Sequence, residues 1–138
     1  MPSQKFFQNA CSEAMCGAPY TTKFLADCLR GRQLVSLERA VQLMTSAPAQ
    51  LFGLRDRGVL REGALADVVV FDPATVDSEE ATLVRDLPGD SVRLTAGSRG
   101  IVRVVVNGVA IIEEGKPTGA TPGTVLRSGR DTETVTAR

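Results

Sequence analysis

By residue type, the side chains best suited to nucleophilic or metal chemistry are three cysteines, Cys11, Cys16 and Cys28. A cysteine nucleophile needs a base to take its proton, and the usual base is histidine. The chain has no histidine at all. That excludes a Ser-His-Asp arrangement for the same reason. It also leaves the C-x4-C spacing of Cys11 and Cys16 without the second pair or imidazoles that complete a zinc site. The cysteines are therefore expected to be reduced thiols, and no metal site is expected. Asp67 and Asp72 could divide acid and base roles, since paired carboxylates do so in many hydrolases. They stand at the two ends of an apolar run, five positions apart, which places them on opposite faces of a strand. Strand-end caps and turn formers account for them better. Glu113 and Glu114 beside Gly115 suggest an acidic cation site, but no third oxygen ligand lies near in sequence, so a solvated strand end is expected. Gly115, Gly119 and Gly123 do not make G-x-G-x-x-G and do not open a helix, which argues against a phosphate loop. Lys5, Lys23 and Lys116 do not sit in apolar runs that would perturb an amine. No catalytic, cofactor-binding or metal-binding residue is assigned.

The elements around these residues fall into a helical front and a strand-rich back. Thr21 or Thr22 can cap a first helix in which Phe24, Leu25, Cys28 and Leu29 recur at helical spacing, with Gly31 as its left-handed stop. Ser36 caps a second helix carrying Leu37, Ala40, Val41 and Met44 on one face, with Glu38 near the positive end of the dipole. Ser46 and Pro48 start a short third helix that Gly53 closes. The pattern changes at Gly58: a short extended stretch leads to a turn at Arg61-Glu62-Gly63. The run ADVVVFD from 66 to 72 reads as a strand buried on both faces or covered by the helices, ended by Pro73. Residues 74–100 read as a long polar connection. Val102–Val106, Asn107-Gly108 and Val109–Ile112 form a hairpin with a type I′ turn, because Asn-Gly tolerates positive φ at both central positions. Gly115-Lys116-Pro117 breaks its second strand. Val125-Leu126 offers a last apolar anchor, and residues 128–138 a frayed polar tail. Phe24, Phe52 and Phe71 are expected in the core.

Length and composition set the outer limits. The 138 residues suffice for one core but not for a (β/α)8 barrel of about 250 residues. Sixteen basic residues balance sixteen acidic ones, so neither nucleic acid nor an anionic membrane is an expected main partner. Net neutrality also removes a barrier to self-association. The first twenty residues lack an apolar h-region and no run is long enough to span a bilayer, so a cytoplasmic location is expected.

Two stretches carry a family resemblance. Residues 36–72, SLERAVQLMTSAPAQLFGLRDRGVLREGALADVVVFD, and residues 101–127, IVRVVVNGVAIIEEGKPTGATPGTVLR, resemble the C-terminal end of an amidohydrolase of the N-acyl-D-amino-acid deacylase (D-aminoacylase) type. The likeness covers about residues 15 to 130. It implies a family fold in which a metal-bearing (β/α)8 barrel is joined to a small β-sandwich, with zinc activating water against an amide carbonyl. The family's S-D-x-G-x-H stretch should fall just before Met15–Tyr20. Phe7 stands where the resemblance places the catalytic Asp, and Cys11 where it places the His. No catalytic residue carries over, and zinc is expected only in a full-length family enzyme. The expectation is thus an α+β chain: N-terminal helices at 1–57 resembling the last part of the barrel, a partial antiparallel β-sandwich at 58–127, a tail at 128–138, and no complete TIM barrel. It reads as a truncated or remnant deacylase, inactive alone. The alternative is a stand-alone binding or assembly module, or a subunit completing a separately encoded barrel. Unpaired edges and helix stripes without a barrel wall further imply a homo-oligomer.

Overall fold

Ser36 is extended (φ −66°, ψ 160°) and its hydroxyl accepts the Arg39 N–H at 3.3 Å, so the chain enters a helix there as its capping chemistry predicts. In the computed structural model, which describes residues 20–136, this is the second of three helices. They are α1 (Tyr20–Leu29), α2 (Leu37–Met44) and α3 (Ser46–Leu51). Thr21 and Thr22 lie within α1 instead of capping it. Gly31 is not its left-handed stop either. Gln33 takes the positive φ (49°) and donates its N–H to the Asp27 carbonyl.

The third helix closes as expected. Gly53, at φ 62°, donates to the Gln50 carbonyl, and Leu54 donates to that of Ala49, the paired bonds of a Schellman ending. The same turn receives the tail. Glu133 N–H donates to the Gly53 carbonyl at 2.7 Å, and Thr132 bridges Leu54. A Cβ on Gly53 would lie 2.2 Å from the Glu133 carbonyl oxygen. The tail is therefore docked around residues 131–133, not frayed, because backbone polarity at a helix end finds its partner there.

All strand pairings are antiparallel, and no closed barrel forms among the described residues. Eight strands follow the helices: β1 (Val68–Phe71), β2 (Asp77–Ser78), β3 (Thr82–Leu87), β4 (Ser91–Thr95), β5 (Ser98–Arg99), β6 (Ile101–Val106), β7 (Val109–Glu113) and β8 (Lys116–Pro117). The main sheet runs β1-β6-β7-β8. Its central hairpin turns at Asn107 (φ 48°) and Gly108 (φ 81°), the double positive φ of a type I′ turn. A second tight turn at Glu114 (φ 48°) and Gly115 (φ 73°) returns Lys116 and Pro117 beside β7. The chain here is folded back where the sequence suggested only a break.

Residues 74–100 are not a plain connection. They form a nested ladder in which β2 pairs with β5 and β3 with β4 around Pro88-Gly89-Asp90. Arg93 grips Asp86 through Nε and Nη2 at 2.8 and 2.7 Å, and Arg85 reaches Asp90. These ion pairs stand out in solvent, and so do Leu83, Leu87 and Val92 of the same strands. The ladder leaves and rejoins the sheet at Gly100, whose carbonyl accepts the Asp72 N–H. There the backbone passes so close to Val76 that a Cβ would lie 2.4 Å from its nitrogen.

The core is small. Leu25, Cys28, Ala40 and Val76 are buried, with Phe24, Leu29, Val35, Leu37, Val41, Met44, Phe71 and Ile101 packed around them. Phe24 and Phe71 join it as expected, but Phe52, at the C-terminus of α3, is 66% exposed. Val125 is 73% exposed, so its side chain is not the apolar anchor expected of it. The β1 run is also not covered on both faces. It is an edge strand with β6 on one side, and Val69 and Val70 are 53% and 46% exposed.

Candidate functional site

Two polar junctions hold the sheet to its surroundings, and between them they engage both aspartates flanking β1. At the first, Arg57 comes from the irregular segment after α3 and bonds the Asp67 carboxylate through Nη1, while Nη2 donates to Asn107 Oδ1 at 3.2 Å. The other Asp67 oxygen accepts the Asn107 N–H at 2.9 Å, and Asn107 Nδ2 donates to the Pro122 carbonyl at 2.8 Å. One guanidinium, one carboxylate and one carboxamide thus tie the start of β1, the tip of the β6–β7 hairpin and the loop after β8. The Arg57 side chain is only 14% exposed, so its pairing with Asp67 excludes much of the solvent that weakens surface ion pairs.

At the second junction, Asp72 accepts the Ala74 N–H at 2.9 Å and the Thr75 hydroxyl at 2.7 Å, folding D-P-A-T into an Asx-type turn. The Thr75 hydroxyl, then the Ala74 amide, hold the Asp72 carboxyl below the ordinary aspartate range. Arg30, just past the end of α1, donates to the Pro73 carbonyl at 2.6 Å and also to that of Val76. Asp77 lies between Arg30 at 3.8 Å and Arg99 at 3.2 Å. Burial alone would raise the Asp77 carboxyl, but the Ser78 amide and the Arg99 guanidinium outweigh it and leave it lowered. Arg30, Ala74, Thr75, Asp77 and Arg99 line an open cleft of about 260 Å³. Its charges are paired with one another, and the Thr75 hydroxyl is engaged by Asp72.

The residues singled out by type are dispersed. Asp67 and Asp72 serve separate turns, as strand-end formers should. Glu113 meets Arg103, its cross-strand neighbour, at 2.9 Å, and is exposed. Lys23 pairs with Asp27 one turn on, and Lys116 lies in the edge strand β8. Cys28 is a free thiol buried in the core. Gly115 is a turn residue, and Gly119 and Gly123 follow in the loop after β8. Lys5, Phe7, Cys11 and Cys16 lie outside the described residues. Among the described residues, no three of His, Cys, Asp and Glu converge closely enough to hold a metal ion, and no helix is long and apolar enough to cross a membrane. Arg30, Arg57 and Arg99 carry the junctions without having stood out in the sequence, and Asn107 stood out only as a turn residue, not as a junction partner. The available signals were the basic residue at the end of α1 and the D-P-x-T turn.

Comparison with known proteins places this architecture. A family model described as "Amidohydrolase family" matches residues 9–112. An N-acyl-D-glutamate deacylase of Alcaligenes xylosoxydans xylosoxydans is 45% identical over 106 residues, covering 77% of this chain and 20% of that protein. A D-aminoacylase from the same organism is 40% identical, over 75% of this chain and 20% of its own length. Among solved structures, a D-aminoacylase matches with a TM-score of 0.57 at 38% identity, over 72% of this chain and 19% of that one. An N-acyl-D-glutamate deacylase from Bordetella bronchiseptica, complexed with zinc and a phosphonate mimic of the tetrahedral intermediate, matches with a TM-score of 0.52 at 40% identity, over 70% and 19%. The chain spans about a fifth of the length of the relatives it matches.

Proposed function

The chain belongs to the amidohydrolase family, and on that premise we propose that it corresponds to the C-terminal part of a zinc-dependent N-acyl-D-amino-acid deacylase and does not hydrolyse amides by itself. In this reading its helices are the last of a barrel, and its strands belong to the family's β-sandwich. The observation that carries the reading is the donor set. A family zinc site rests largely on histidines, of which this sequence has none, and among the described residues no three Cys, Asp or Glu side chains converge on a metal site. The residues present do not fit the metal, so no step of amide hydrolysis is assigned to them. What they do is structural: Arg57, Asp67 and Asn107 hold hairpin to strand, and Arg30 holds helix to turn.

The purified chain, supplied with zinc and offered N-acetyl-D-glutamate, N-acetyl-D-aspartate and an N-acyl-D-amino acid with an apolar side chain, is expected to release no free amino acid above zinc alone. Release that disappears with a chelator would sink the reading. Sequencing the DNA upstream of Met1 then separates its two forms. An open frame encoding a His-bearing barrel supports a part of a larger enzyme. Stop codons there favour the alternative, a stand-alone assembly module or a subunit for a separate barrel.

We also propose that the described chain self-associates through β1. Its open edge has no strand partner among the described residues and presents an uncharged Val-Val-Val-Phe row, whereas the opposite edge, β8, carries Lys116 and Pro117. Lysine and proline are the usual protections of an edge, and β1 has neither. A second copy meets no charge barrier, because the chain is neutral overall.

A further inference from the structure

Asn107-Gly108 is a place in this chain where covalent chemistry needs no catalyst. Gly108 has no side chain to shield its backbone nitrogen. In an unrestrained chain that nitrogen attacks Asn107 Cγ, forms a five-membered succinimide and expels the side-chain nitrogen as ammonia. Water then opens the ring at one of its two carbonyls, leaving aspartate or isoaspartate. The net change is amide plus water to carboxylic acid plus ammonia, with no oxidant or reductant required.

In the fold, the atoms this reaction needs are already engaged. Asn107 Nδ2, the leaving nitrogen, donates to the Pro122 carbonyl at 2.8 Å. Oδ1 accepts from Arg57 Nη2 at 3.2 Å, so the carboxamide plane is held from both ends. The attacking nitrogen of Gly108 donates to the Ala66 carbonyl at 3.0 Å. The Asn107 backbone is itself pinned at φ 48° by its N–H to Asp67 Oδ1. For Gly108 N to reach Cγ, the carboxamide must turn out of two hydrogen bonds and the glycine must leave a third. We propose that Asn107 is a deamidation site kept closed by the Arg57–Asp67 latch, so that its modification records opening of the junction between β1 and the hairpin.

The product would not restore the junction. An isoaspartate adds a carbon to the main chain inside a two-residue turn whose geometry sets the β6–β7 register. Either acid also puts a second carboxylate beside Asp67, with Arg57 alone to serve both, and takes the net charge from zero to −1.

The test follows the acidic form with time at mildly alkaline pH, by isoelectric focusing and by mass spectrometry with isoaspartate detection. The intact chain is compared with a peptide spanning residues 101–113. The intact chain is expected to deamidate at Asn107 at least about tenfold more slowly than the peptide, since several hydrogen bonds of ordinary strength must break first. Arg57→Ala is expected to lose most of that protection. Arg57→Lys, which keeps the charge but offers no fork to bridge two acceptors, should lose part of it and serves as the reporter if the alanine variant fails to fold. Equal rates in the intact chain and the peptide would overturn the proposal. So would full protection in Arg57 variants whose circular dichroism matches the unsubstituted chain.

Discussion

Asp72 illustrates how a residue that looks catalytic by type is claimed by local geometry. Both its oxygens are occupied within three residues, by Ala74 N–H and the Thr75 hydroxyl, and its backbone carbonyl also accepts from Val76. Val76 is fully buried, so the carboxylate sets the path by which the chain inserts that side chain into the core. The Asp72 carboxyl is lowered chiefly by the Thr75 hydroxyl. A group lowered in the fold contributes stability above its unfolded value, and that contribution is lost as the pH falls through the lowered folded value. Stability measured by urea titration is therefore expected to decline on acidification below the ordinary aspartate range of ~3.9. Asp72→Asn should be less stable at neutral pH and show a flatter acid limb. An unchanged acid limb in that variant would show that other carboxylates carry the pH dependence.

At the scale of elements, the short helix α3 depends on how its end is received. Its six residues are too few for a stable helix in isolation, so the ending at Gly53 and the docked tail matter more than propensity. Gly53 is required twice over, for its positive φ and for its contact with the Glu133 carbonyl. Gly53→Ala is expected to cost about 1 kcal/mol from the left-handed backbone alone. The added Cβ must also push residues 131–133 off the turn. Hydrogen exchange should then rise at the Glu133 amide, which donates to Gly53, while the β6–β7 amides stay protected. Protection retained at Glu133 would mean that the tail is held by something other than this turn. The β3–β4 ladder follows a different logic, because its exposed strands are joined by Arg93–Asp86 and Arg85–Asp90 pairs. Such pairs are each worth roughly 0–1 kcal/mol, so this ladder is expected to be the first strand pair to open.

For the molecule as a whole, the small core contrasts with how much apolar surface stays in water. Leu51, Phe52, Leu60, Val69, Val70 and Leu83 are all exposed. An unpaired strand edge is a ready template for another chain, and the four-residue β1 has no strand beside it on one side among the described residues. The proposed self-association through β1 predicts that the chain sediments as a dimer or larger species at micromolar concentration. Val70→Lys places a charge in the middle of the edge strand and should shift it toward monomer without loss of circular dichroism. An unsubstituted chain that stays monomeric over a wide concentration range would rule out the β1 contact.

What the sequence determined by itself was whatever depends on near neighbours. The Ser36 cap, the Gly53 closure and the Asn107-Gly108 hairpin are each decided by the conformational limits of a few consecutive residues, and each was legible. The family resemblance was legible too, because it rests on runs of residue identities such as the N-G hairpin and the A-D-V-V-V-F-D strand. The lack of a histidine is a count and needs no fold. Long-range pairing decided the rest. Strand β1 became an edge because only β6 is placed beside it, which no count of valines could reveal. Residues 74–100 folded into a ladder because residues separated along the chain, such as Asp86 with Arg93 and Asp77 with Arg99, meet across strands, which local patterning does not announce. Arg30, Arg57 and Asn107 acquired their roles from partners ten to fifty positions away along the chain, since a hydrogen bond is set by distance in space and the sequence records only distance along the backbone.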